Sequence, residues 1–326
     1  MAIESINKIY GFQGRLTQSF PSQILFDITE VCNLECIHCP HPDFKKSNNF
    51  TNAFLDINLH NKLIDEVAKY GEGITQYIRY ASNGEPLVHP KVFEMISYTK
   101  NKTVTPVTLT TNGVTMSAKR MEKLILSNID CIDISIDAYS EDIYKKVRVG
   151  GDLSVTRKNV LNLIDYIKKN NKKTKVVVSF VENQINSHEI ESFDNFWKKA
   201  GADYVVIRRM HSCSGAKIEF AALKRKNNES SPRRPCLYPW ERIVLTPTGD
   251  LAFCPSDWVH GSVICNYKDN TVKDVWDGVF YKKLREAHLK NNYKNHAFCG
   301  QCPDWESTRW PNEGRSYADM MMEFEF

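Results

Sequence analysis

No apolar run in these 326 residues reaches the roughly 20 needed to cross a bilayer as a helix. The N-terminus, Met1-Ala2-Ile3-Glu4-Ser5, lacks the basic-then-apolar form of a signal peptide. Charge of one sign is scarce: the net value is +4, too small to argue for nucleic acid or an anionic membrane as partner. These absences point to a cytoplasmic protein with neither a membrane nor a nucleic-acid partner. In a reducing cytosol the ten cysteines are not expected to form disulfides, and clustered ones suggest metal. Two further absences matter more. No fourth cysteine lies near Cys32, Cys36 and Cys39, and none follows Cys302.

What remains is ordinary for a globular chain: 42% hydrophobic and 25% charged residues. Residues 1–23 read as a lead-in. Strand-like runs at 24–29, 76–80, 106–110, 131–136, 175–180 and 204–207 alternate with helical spacing at 56–70, 90–101, 117–127, 155–169 and 188–199. Asp56 is placed to cap the first of those helices. The alternation is that of parallel βα units, six in number and too few for a complete eight-fold barrel. An α/β fold, a partial (β/α)6 TIM-like barrel over 24–210, fits. In such barrels function gathers at the carboxyl ends of the strands.

The loop after the first strand reads Cys32-Asn33-Leu34-Glu35-Cys36-Ile37-His38-Cys39, a CxxxCxxC spacing. Thiolates hold iron–sulfur clusters, and a cubane takes four. With three, one iron stays open to a small chelating ligand. The alternative is a zinc knuckle completed by His38 or His41. The spacing resembles the radical S-adenosylmethionine (radical SAM) superfamily, with His38 in the place of an aromatic residue before the third cysteine. In that family the open iron is chelated by SAM, and reductive cleavage yields a 5′-deoxyadenosyl radical. The resemblance extends along the rim. Asn83-Gly84-Glu85-Pro86 is similar to the family's GGE motif, whose backbone and carboxylate hold the SAM ammonium; Asn83 replaces the first glycine. Thr111 and Asn112 fall in a family-like turn after strand three. Ser135 and Asp137, two apart at the end of strand four, point the same way and match residues that approach the SAM ribose or carboxylate. Arg148 resembles an arginine near that carboxylate.

A connector spans 211–235, and its stretch Lys224–Pro235 is basic and proline-bearing, reading as a solvated loop. Residues 236–305 hold the second cysteine group. Cys236 and Cys254 flank a strand–turn–strand pattern with Thr248-Gly249-Asp250 at the turn, and Cys299-Gly300-Gln301-Cys302 adds a CxxC. Four thiolates complete one cluster; a four-cysteine zinc ribbon is the alternative. With Trp276 and a helix near 281–289, this segment resembles the SPASM/twitch appendage in its shorter form, a small β-hairpin plus helix domain with a single auxiliary [4Fe–4S] cluster. The tail, 306–326, ends in Met320-Met321-Met322-Glu323-Phe324 and is expected to pack at the barrel mouth or serve there as a substrate lid.

The resemblance implies an oxidoreductase or isomerase with SAM and two [4Fe–4S] clusters, fed by a flavodoxin- or ferredoxin-type donor. If the substrate radical gives its electron to the auxiliary cluster, the outcome is oxidation. If a thiol returns hydrogen, it is epimerisation. Cys213, just past strand six, is the candidate hydrogen donor; Cys265 is a second, and Cys131 reads as core. Peptide-modifying relatives often carry an N-terminal peptide-binding domain, and 23 residues are too few for one. The expectation therefore tilts to a small polar substrate such as a sugar, cyclitol or nucleotide-linked sugar. A ribosomal-peptide or protein maturase is the alternative. A non-enzymatic iron–sulfur electron-transfer protein would have neither an open iron nor a SAM site.

Overall fold

Strand β1, Gln23–Phe26, lies inside one nine-stranded sheet ordered β6-β5-β4-β3-β2-β1-β7-β8-β9. The computed structural model describes residues 19–81, 83–220, 233–307 and 317–324. Residues 1–18 of the lead-in, Ser82, residues 221–232 of the connector and residues 308–316 and 325–326 of the tail lie outside the described residues.

The six expected parallel strands are present. After β1 come β2 (Tyr77–Tyr80), β3 (Val107–Thr111), β4 (Cys131–Ser135), β5 (Lys175–Glu182) and β6 (Tyr204–Arg209), each parallel to the one before. The crossovers carry helices at Ile57–Glu66, Val92–Lys102, Ala118–Leu126, Leu153–Lys169 and Ile190–Ala200. Asp56 caps the first, accepting from Asn58 N at 2.7 Å. A helix at Glu141–Val147, capped by Ser140, was not expected from the sequence.

Alternation along the strands divides the sheet's faces. Ile24, Phe26, Ile78, Leu109, Ile132, Ile134, Val176 and Val178 are buried on the face the helices cover. The same core contains a polar knot. The Tyr80 hydroxyl meets His60 Nε2 at 2.7 Å and Thr99 Oγ1 at 2.6 Å, all fully buried. Tyr80→Phe strips both partners of that hydroxyl. It is expected to lower stability by about 1–3 kcal/mol, read as a lower urea midpoint with unchanged slope.

The hairpin expected after Cys236 is present as β7 (Arg242–Leu245) and β8 (Asp250–Ala252), followed by β9 (Val263–Asn266). It does not stand apart from the barrel. β7 runs parallel to β1, with Gln23 opposite Arg242 and Phe26 opposite Leu245, so both cysteine groups hang from one continuous sheet. Helix Ile57–Glu66 adds a second fastening. Lys62 Nζ caps the carbonyls of Tyr267, Lys268 and Asn270, and Glu66 accepts from the Tyr267 hydroxyl at 2.6 Å.

The tail departs from expectation. Helix Tyr317–Glu323 packs Met320, Met321 and the following Phe324 against Tyr77, Cys131, Val177, Tyr204 and Val206. Tyr77, Cys131 and Tyr204 are the first residues of their strands. The tail thus closes the amino end of the barrel, away from the mouth. The reason is chemical: this end of the sheet's inner face is apolar, and three large side chains cover it. Cys131 is core, as expected.

Candidate active site

The carboxyl ends of the strands gather the expected residues in one place. Cys36 and Cys39 form a tight turn, Cys39 N donating to Cys36 O at 3.1 Å. Burial pushes the Cys32 thiol up to about 11 and that of Cys39 higher still, and Cys36 and Cys32 each add to the shift at Cys39. These buried thiols are therefore hard to ionise without a cation to claim the charge.

The loop after β2 is zipped onto the segment entering the cysteines. Gly84 N donates to Thr29 O and Glu85 N to Val31 O. Asn83 N donates to Asp27 Oδ1 at 2.9 Å, and its side-chain amide reaches Asp257 O in the C-terminal region at 3.2 Å. Glu85 is buried. Its carboxylate accepts from Thr111 Oγ1 at 2.6 Å, Asn112 N at 2.8 Å and Leu87 N at 3.0 Å. Asn112 in turn donates to Asn33 Oδ1 at 2.9 Å, closing a ring back to the cysteine loop. Burial raises Glu85 above the usual carboxylate range, and these three donors act against it.

At the end of β4, Ser135 lies 3.3 Å from Ser179 Oγ. Asp137, in a left-handed backbone conformation (φ +63°), is fully buried. Its carboxylate takes Arg148 Nη2 at 2.5 Å, Val181 N at 2.7 Å and His38 Nε2 at 3.3 Å. Arg148 also donates to Cys36 Sγ at 3.6 Å. Asp137 and Arg148 thus engage each other, and the pair holds Cys36. Burial pulls His38 down to about 4 despite Asp137, so it is neutral at pH 7. His41 donates Nε2–H to Glu30 O at 2.8 Å.

Below the rim a polar row crosses the sheet's inner face. Asp133, fully buried, takes Arg208 Nη2 at 2.5 Å, Arg79 Nη2 at 3.5 Å and Ser179 Oγ at 2.8 Å. Arg79 also reaches Thr110 Oγ1 at 2.8 Å.

In the C-terminal region burial pushes the Cys236 thiol up to about 12 and also raises those of Cys254, Cys299 and Cys302. Arg233 holds the CxxC turn through the carbonyls of Gly300, at 2.9 Å, and Cys299. Trp276 is fully buried under Arg285.

Between the two cysteine sets runs a turn that sequence reading left inside a connector. Cys213, Ser214 and Gly215 have φ of +52°, +58° and +104°, and a left-handed non-glycine residue costs about 1–3 kcal/mol. Lys217, four residues past Cys213, pairs through Nζ with Oδ2 of Asp43, four residues past Cys39, at 2.5 Å. Ser214 Oγ lies 3.5 Å from Cys254 Sγ. Asp304, two residues past Cys302, accepts from Ser212 N, Ser212 Oγ and Ser214 N at 3.0, 2.8 and 2.8 Å. Burial would lower His211, but Asp304 and Cys213 raise it to about 9. Neither His211 nor Asp304 was expected. The one available signal was a carboxylate directly beyond the last CxxC. Cys265 sits on edge strand β9 opposite Leu251 and belongs to neither cysteine set.

Among the described residues no three His, Cys, Asp or Glu side chains converge tightly enough to share a single metal ion. Three thiolates leave one iron of a cubane open and four complete a second one, so the donor sets present fit two such clusters.

Comparison with known proteins agrees. Residues 26–196 match the radical SAM superfamily model, and residues 236–303 match that of the SPASM iron–sulfur cluster-binding domain. The chain belongs to the radical SAM superfamily. Its cofactors are accordingly SAM and two [4Fe–4S] clusters. A probable GTP 3′,8-cyclase of Methanococcus maripaludis is 28% identical over 199 residues, 60% of this chain and 60% of that protein. An AdoMet-dependent heme synthase of Methanosarcina barkeri is 30% identical over 128 residues, 39% and 34% of the two chains. The chain thus spans no more than 60% of the length of these curated relatives. Among solved structures, Streptococcus suis SuiB bound to precursor peptide SuiA superposes with a TM-score of 0.65 at 14% identity, covering 98% of this chain and 75% of that one. BtrN in complex with AdoMet and 2-DOIA gives 0.57 at 16% identity, covering 86% and 92%. At these identities the likeness is one of fold. No helix among the described residues is long and apolar enough to cross a membrane.

Proposed function

We propose that this enzyme epimerises a small polar substrate, a sugar, cyclitol or nucleotide-linked sugar, with Cys213 as the hydrogen donor. The observation that carries this reading is the Cys213 thiol, held in a left-handed turn that is tied to both cysteine regions through Ser214–Cys254 and Lys217–Asp43. Cys32, Cys36 and Cys39 hold the first cluster, and Cys236, Cys254, Cys299 and Cys302 the second. When bound, SAM and the first cluster supply a radical that removes a hydrogen atom from an unactivated C–H.

The chain's own residues do the rest. Gly84 lets the backbone of the Asn83–Glu85 loop approach Thr29 and Val31. Glu85 fixes Thr111 and Asn112, and the ring through Asn33 holds the cysteine loop against the place where SAM docks. Ser135 lines that docking place, Arg148 steadies Cys36, and Asp137 steadies Arg148. The row Arg79, Thr110, Asp133, Ser179 and Arg208 gives the barrel interior hydroxyls and charge, which suits a polar substrate. Cys213 gives its S–H hydrogen to the substrate carbon radical from the opposite face. The C–H bond forms, the S–H bond breaks, and a thiyl radical is left. One electron from a low-potential donor of the flavodoxin or ferredoxin class and one proton from solvent restore the thiol.

The test is anaerobic incubation of the reconstituted protein with SAM, dithionite and a panel of free and nucleotide-linked sugars and cyclitols in D2O. Epimerisation places one solvent deuterium in product. Cys213→Ala is expected to abolish that incorporation while 5′-deoxyadenosine is still released. An oxidised product without deuterium would instead assign the second step to electron transfer through the auxiliary cluster. A panel left untouched while short peptides are modified would assign the chain to the peptide maturases.

A further inference from the structure

The bonds nearest Cys213 in its turn come from the C-terminal cysteine region. We infer that Asp304 is a positioning residue that clamps the Cys213 turn, so that the auxiliary-cluster loop sets where the donor thiol points. This rests on the reading of Cys213 as hydrogen donor.

Three observations converge. Asp304 takes three hydrogen bonds from the turn, two from backbone N–H groups on either side of Cys213 and one from the Ser212 hydroxyl. It also lies 3.7 Å from His211 Nδ1, an atom 3.1 Å from Cys213 N. Ser214 Oγ, one residue from the donor, touches Cys254 Sγ, so a ligand of the second cluster forms part of the same wall. On the other side Lys217 Nζ pairs with Asp43 Oδ2 at 2.5 Å, in the short helix His41–Phe44 that follows the first cysteine set. The turn is pinned at both ends, and the clamp nearest Cys213 belongs to the loop of Cys299 and Cys302.

Charge-assisted bonds donated by backbone N–H groups to a carboxylate are stronger than those between neutral partners. Two successive left-handed residues, Cys213 and Ser214, persist only where the surroundings over-determine them. Asp304 supplies that determination. A tightly ligated auxiliary cluster therefore serves here as a scaffold: it fixes the loop from which Asp304 reaches back to aim the thiol.

The experiment uses the holoenzyme with both clusters assembled and SAM bound. The first readout is the rate of iodoacetamide alkylation at Cys213, followed by peptide mapping. Asp304→Ala is expected to change that rate several-fold as the turn relaxes. Asp304→Asn, which keeps one acceptor oxygen, is expected to fall between, and Asp304→Glu to restore part of the wild-type rate. The second readout is 5′-deoxyadenosine released per epimerised product, expected to rise several-fold in Asp304→Ala. Unchanged alkylation and unchanged coupling in a variant with full iron content would overturn the clamp. Should Cys213→Ala leave deuterium incorporation intact, the donor reading falls. The alkylation rates then decide the clamp by themselves. If Asp304→Ala fails to hold its iron, Ser212→Ala, which removes the hydroxyl that donates to Asp304 Oδ2 and accepts from Gly215 N, gives the same alkylation readout with the carboxylate in place, and an unchanged rate there counts against the clamp.

Discussion

Gly84→Ala is expected to reduce SAM cleavage at least about 100-fold. A methyl group at this position would lie 2.3 Å from Val31 O and 2.6 Å from Thr29 O. Both are backbone atoms, so no side-chain rotation relieves the clash. They are also the carbonyls that accept from Gly84 N and Glu85 N, so separating the strands to admit the methyl breaks the bonds that set their spacing. Overpacking of this kind costs about 1–3 kcal/mol in stability. The larger loss is geometric, because Val31 leads directly into Cys32. A displacement of about 1 Å at a reacting centre costs on the order of 100-fold in rate. The check is 5′-deoxyadenosine release under dithionite, normalised to iron content. A Gly84→Ala protein with full iron and wild-type cleavage would show that the loop has slack and that its close approach is incidental.

This glycine also shows where sequence reasoning succeeds and where it stops. Gly84 was picked out because Asn83-Gly84-Glu85-Pro86, after a strand-like run, resembles the radical SAM family's GGE motif. The six strands followed from short apolar runs separated by helical periodicity, and the cap at Asp56 from residue type alone. All these signals are local. The joining of β7 to β1 is not: the paired residues are more than two hundred positions apart, and the pattern Arg242-Ile243-Val244-Leu245 reads the same for a free hairpin as for one added to a barrel. The tail failed for a related reason. Met320, Met321 and Phe324 announce burial but not which end of the barrel they bury. Asp304 was illegible because a carboxylate in a loop is ordinarily solvated. Only the fold shows that three donors from residues 212–214 converge on it. Asp137 and Arg148 were each noticed, but as separate ligand contacts. Their ion pair needed the left-handed turn at Asp137, which no spacing encodes.

That ion pair gives the second large effect. Arg148→Met is expected to destabilise the protein by about 3–5 kcal/mol, because it strands a fully buried Asp137 carboxylate. Val181 N and His38 remain as partners, but His38 is held neutral by burial and cannot replace the cation. Arg148→Lys keeps the charge yet loses the fork that spans Asp137 and Cys36 Sγ, so a smaller loss of stability is expected. A second consequence separates a mere strut from a tuning group. Hydrogen bonds and charge at cluster sulfurs set reduction potentials, and a buried guanidinium at Cys36 favours the more negative, reduced state. Without it the potential of the SAM-binding cluster should move to more negative values and dithionite should reduce less of it. Urea denaturation measures the first effect and an EPR-monitored redox titration of the reconstituted protein the second. A potential equal to wild type in Arg148→Met, alongside the loss of stability, would confine Arg148 to holding Asp137 and leave the cluster's potential to its other neighbours.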